Sequence, residues 1–91
     1  MPSYLVETYL ARGDAGGRAA RERRVRSAAA ELTRQGTRVR FDRAIHVPED
    51  EICFFVFDAP SSLDAVLLAE RAELDHLRVV EAIASGEEHR S

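Results

Sequence analysis

The 91-residue chain has no tryptophan, one cysteine, three prolines and, among its thirteen basic residues, no lysine. A lone cysteine cannot close an intrachain disulfide, so no oxidised framework holds the fold. The longest apolar run, Ile52 to Phe57, falls far short of the ~20 residues that a membrane-spanning helix needs. The amino terminus lacks the basic stretch and apolar core of a signal peptide, and a cytoplasmic setting is the expectation. Gly16-Gly17 alone matches no phosphate-binding loop. Sixteen acidic residues against thirteen basic ones leave a formal charge of -3, which argues against general nucleic-acid binding by phosphate neutralisation. The exclusive use of arginine reads as genome composition rather than mechanism.

What is present is the composition of one folded domain, 45% apolar and 32% charged, with room for a single core. Tyr4 to Leu10, rich in β-branched and aromatic residues and closed by Arg12-Gly13-Asp14, reads as a first strand. A helix follows, capped by Asp14, with Val25, Ala28, Ala29 and Leu32 on one face and Gly36 past its end. From Thr37 to Val47 the residues alternate, with Val39, Phe41, Ile45 and Val47 opposed to Arg38, Arg40, Asp42 and His46, and Arg43 out of step. Pro48 to Glu51 has turn composition, so the apolar run from Ile52 returns as the second arm of a hairpin. Asp58-Ala59-Pro60-Ser61 ends that strand. Ser61 and Asp64 have capping-box spacing for a helix expected to bury Leu63, Val66 and Leu67 and to end near Leu74. A fourth strand is expected from about Leu77 to Ala84, followed by a frayed polar tail over residues 85–91.

The order βαββαβ is the split βαβ plan of a ferredoxin-like α+β domain spanning residues 1–84, with two helices on one face of a four-stranded antiparallel sheet. The other face stays uncovered, and the third strand is apolar on both sides. A homodimer packed sheet to sheet, as in a dimeric α+β barrel, is the expected way to bury it.

With Pro48–Glu51 as the hairpin loop, Val47 pairs with Ile52, and the ladder then places His46 opposite Cys53, Ala44 opposite Phe55 and Asp42 opposite Phe57. His46 and Cys53 are both expected on the open face. Directly opposed residues have Cβ atoms roughly 4.5–5.5 Å apart, near enough for an imidazole and a thiolate to share one metal ion. Glu7, a carboxylate amid Leu5, Val6 and Tyr9, needs a partner and is the third candidate ligand; Glu81 has a similar place in the fourth strand. Such a donor set suits nickel, zinc or copper better than magnesium or calcium. Weighed against this, a lone strand cysteine is commonly a small buried hydrophobe, a strand histidine is commonly solvated, and strand carboxylates more often meet arginine than metal. No paired Cys-x-x-Cys or His-x-x-x-His motif is present, and His76 in a loop and His89 in the tail are weaker candidates. No catalytic residue is assigned, because a Cys53 nucleophile with His46 as base lacks a nameable orienting group and oxyanion hole. The five arginines from Arg18 to Arg26 read as a solvated helix face. An RNA-recognition reading of Ile52–Phe57 fails because the basic-Gly opening is missing and Cys53 stands where a stacking aromatic belongs.

The opening Met1-Pro2-Ser3-Tyr4-Leu5-Val6-Glu7, the segment Cys53-Phe54-Phe55-Val56-Phe57 running into Asp58-Ala59-Pro60-Ser61, and Val79-Val80-Glu81 together resemble a family of small, mostly bacterial proteins that includes an actinobacterial nickel-binding protein. The resemblance spans nearly the whole chain in matching order, and its most specific part is Cys53 followed by Asp-Ala-Pro-Ser. It implies a ferredoxin-like homodimer, nickel binding in at least one member, and no established catalysis. The chain departs from the family where Arg43-Ala44-Ile45 replaces a His or Arg followed by Ser-Tyr, and where Ala84-Ser85-Gly86 replaces a longer extension.

The leading expectation is therefore a metal-binding homodimer that sequesters or senses nickel, zinc or copper through Cys53, His46 and Glu7. The runner-up is a cavity-type enzyme or small-ligand module of cyclase or monooxygenase type, with Tyr4, Tyr9, Phe55 and Phe57 lining the cavity. The third reading is a dimeric interaction module without chemistry.

Overall fold

The computed structural model describes residues 1–83. The chain runs through β1 (Ser3–Tyr9), α1 (Ala15–Arg34), β2 (Arg40–Val47), a 3-10 turn (Pro48–Asp50), β3 (Ile52–Asp58), α2 (Ser62–Arg71) and β4 (His76–Ala82). The strands form one antiparallel sheet in the order β2-β3-β1-β4. This is the ferredoxin-like α+β architecture that the element order predicts. The expected tail 85–91, the last residue of the expected domain 1–84, and His89 lie outside the described residues.

Local chemistry sets the element ends. The Asp14 carboxylate accepts the Gly17 N–H at 2.8 Å and starts α1. Gly36, at φ 104°, occupies backbone space that suits glycine and ends it. The Ser61 hydroxyl accepts the Asp64 N–H at 3.2 Å and starts α2. That helix stops at Arg71, short of the expected Leu74, because Glu73 turns into the left-handed region at φ 59°.

The core lies between the sheet and the helices. Tyr4, Val6, Phe55 and Phe57 pack there with Val25 and Leu32 of α1 and Leu68 of α2. The expected burial of Leu63, Val66 and Leu67 is corrected: α2 buries Ala65, Leu68 and Ala69, and Leu63 is 79% exposed. Alanines at this spacing let the helix lie close to the sheet and to α1, and the leucines on the opposite side then face outward.

A second correction concerns β2. The ladder shifts between Phe41 and Arg43, so Phe41, not Asp42, faces Phe57. This bulge sends Phe41, Ala44 and His46 toward the helices and Arg43, Ile45 and Val47 to the open side. Arg43 breaks the alternation because one extra residue sits in the strand. It also explains why Phe41 and Ile45 do not share a face. The open side carries Leu5, Tyr9, Ile45, Phe54 and Val80, of which Tyr9 is 56% exposed.

Candidate metal centre at the polar end of the helix-covered face

The Pro48–Asp50 turn closes on Glu51 at φ 53°, whose N–H donates to the Pro48 carbonyl at 3.1 Å. Leu10 N–H donates to the Glu51 carbonyl at 2.9 Å, tying the turn to the end of β1. The hairpin register follows as the turn composition predicts: Val47 pairs with Ile52 and His46 with Cys53. Thr8 pairs with Cys53 on one side and with His76 on the other. One row across the sheet therefore reads His46, Cys53, Thr8, His76.

This row does not lie on the open face. Cys53 is in phase with Phe55 and Phe57 along β3, and those rings fill the space under the helices. Helix cover buries Cys53, which has no exposed surface, and His46 opposite it is half-buried on the same side. The third candidate separates from them for the same reason. Glu7 alternates with the buried Val6 and Thr8, so it stands on the other face, where Arg78 Nε donates to its Oε1 at 2.9 Å. Glu7 is thus an ion-pair partner, remote from the thiol. Glu81 is exposed.

The surroundings of the pair are polar and only partly satisfied. Thr8 Oγ1 donates to the Cys53 carbonyl at 2.9 Å in a buried contact. Burial pushes the Cys53 thiol above its ordinary pKa; Arg18 and Arg21 on α1 pull it down by less, and Glu22 adds a small upward push. Glu22 also meets Arg18 across 3.7 Å. Two buried side-chain atoms have no hydrogen-bond partner among the described residues, and they are His46 Nε2 and one terminal nitrogen of Arg21. Buried polar atoms of native proteins are usually paired, which makes this end of the core unusual.

As a metal site the pair offers a nitrogen and a sulfur donor of suitable type, with the imidazole nitrogen unengaged. Among the described residues, no group of three or more His, Cys, Asp or Glu side chains comes together to hold an ion. Reading by residue type overlooked Arg21, which counts as solvated surface when the arginines are taken as a block. Its position four residues before Val25, on the stripe that continues through Ala28, Ala29 and Leu32, is the signal that places it on the inward face. The residues expected to line a cavity are otherwise employed: Tyr4, Phe55 and Phe57 are packed core and Tyr9 is on the open face.

No protein-family model matches the chain, and no curated protein matches it. Among solved structures, it is similar to the crystal structure of SCO4226 from Streptomyces coelicolor A3(2), with a TM-score of 0.66 and 14% sequence identity over 91% of this chain and 98% of that one. A likeness at that identity establishes the shared fold. Among the described residues, no helix is long and apolar enough to cross a membrane.

Proposed function

We propose that this protein binds a borderline transition-metal ion through His46 and Cys53, with nickel the first candidate and zinc and copper the alternatives. The observation that carries the reading is the buried, unpartnered Nε2 of His46 on the residue directly opposite a buried thiol. A polar atom withdrawn from water without a partner costs stability, and a metal ion is one partner that recovers the cost. Nickel stands first because the segment from Cys53 to Ser61 resembles a family with a nickel-binding member.

Two protein donors and the positive charge of Arg18 and Arg21 nearby make the site exchangeable, which suits buffering or sensing in the cytoplasm better than a permanent structural ion. The thiol must also lose its proton to ligate, so binding releases acid and strengthens as pH rises.

Calorimetric titration of the chelator-treated protein with Ni²⁺ and Zn²⁺, beside Cys53→Ala and His46→Ala, tests this. Micromolar or tighter binding that both substitutions abolish is the expected result. Binding that survives both substitutions, or no binding by the unaltered protein, contradicts it.

A second reading, self-association through the open sheet face, is favoured by the exposed Tyr9, Ile45 and Val80 beside Leu5 and Phe54. Contiguous apolar surface of this kind marks an interface. Light scattering should give the mass of a dimer, and Ile45→Glu should return a folded monomer. A monomeric unaltered protein would remove this reading and leave the metal reading standing.

A further inference from the structure

Away from the polar row, an open groove of about 520 Å³ runs between the C-terminal half of α1 and the edge strand β2. Its floor is apolar, made by Ala29, Val39 and Phe41, and its rim carries the guanidinium groups of Arg26, Arg34 and Arg40. We propose that this groove binds a small monocarboxylate with a hydrophobic body, the carboxylate meeting the arginine rim and the body lying on the floor.

Charge complementarity carries the argument. Arg26 is held over the Phe41 ring, 4.9 Å from its centroid. Arg26 and Arg34 form no ion pair or side-chain hydrogen bond among the described residues, whereas Arg40 is engaged by Asp58. The carboxylates of α1 are turned elsewhere, Glu22 to Arg18 and Glu31 to Arg71. Thr33, the polar side chain in the groove wall, is occupied by hydrogen bonds with the Val39 backbone. The unengaged donors are therefore cationic forks, which match a carboxylate in geometry and charge. A nucleic-acid phosphate would meet the same charge but make no use of the floor. The size lies within the ~300–1,000 Å³ range of small-molecule sites.

The test is titration of the ¹⁵N-labelled full chain with octanoate, with 1-octanol and inorganic phosphate as controls, followed by amide shifts. Octanoate should saturate, with the largest shifts in residues 26–41. Octanol and phosphate should each bind at least tenfold more weakly. Arg34→Gln should weaken octanoate at least tenfold while the thermal melt is unchanged, and Arg26→Gln should weaken it at least tenfold as well. Equal binding of octanol overturns the carboxylate assignment, and equal binding of phosphate overturns the apolar one. Unsaturable binding, or shifts confined to the open sheet face, overturns the site.

Discussion

The helix-covered face of the sheet has two ends of opposite character. At one end Phe41 packs against Phe55 and Phe57, with ring centroids 6.1 and 6.3 Å apart in tilted and edge-on arrangements. These rings lie in the packed core with Val6 and Leu32. At the other end, His46, Cys53 and Thr8 continue the same strands under the N-terminal half of α1, and buried nitrogens of His46 and Arg21 are left without partners. The first end is built for stability. The second carries a cost that stability alone does not explain, and such local inconsistency is where function is expected in an otherwise consistent fold.

Four outcomes would sharpen or break this contrast. Phe55→Ala strikes the aromatic end and should cost about 3–5 kcal/mol in chemical denaturation, since the ring is fully buried. A loss below about 1 kcal/mol would show that this end is not the anchor. His46→Leu at the polar end should instead leave stability unchanged or raise it by up to about 1–2 kcal/mol in the metal-free protein, because it removes a buried atom that lacks a partner. A marked loss would mean that Nε2 is already satisfied.

A third outcome depends on pH. Burial raises the Cys53 pKa in the folded state, so its contribution is fully present below the unfolded value of about 8.5 and is lost as pH rises through the folded value. The metal-free protein should therefore weaken above about pH 8.5, and the difference from Cys53→Ala, measured by denaturation at a series of pH values, should narrow there. A constant difference across that window would contradict the burial effect. The smallest effect belongs to the open face: Glu7→Gln loses a partly exposed ion pair worth about 0.2–1 kcal/mol and should leave metal affinity unaltered. Weakened metal binding in that variant would return Glu7 to the site.

Much of this contrast is legible in residue order. The element order, the Asp14 and Ser61 caps and the turn at Pro48–Glu51 are local chemistry, and the turn alone determines that His46 meets Cys53. Which face of the sheet the helices cover is a tertiary matter. Phe55 and Phe57 share a phase with Cys53 and lie under the helices, but a strand apolar on both sides hides that choice. The bulge at Asp42 is likewise invisible to strict alternation, although Arg43 out of step marks its position. The inward stripe of α2 is hard to see in the sequence because alanine carries little hydrophobic weight, while its value at a close helix contact is its small size. Glu7, a carboxylate among apolar strand neighbours, does need a partner, but period-two alternation with Val6 and Thr8 places it on the other face, where Arg78 supplies one.

The central claim is that Cys53 and His46 share a metal ion, and the most direct test is the near-ultraviolet absorption of the protein on addition of Ni²⁺. A sulfur-to-nickel charge-transfer band that saturates near one equivalent, vanishes in Cys53→Ser and weakens in His46→Ala is the predicted result. No band, or one unchanged by Cys53→Ser, would contradict the account.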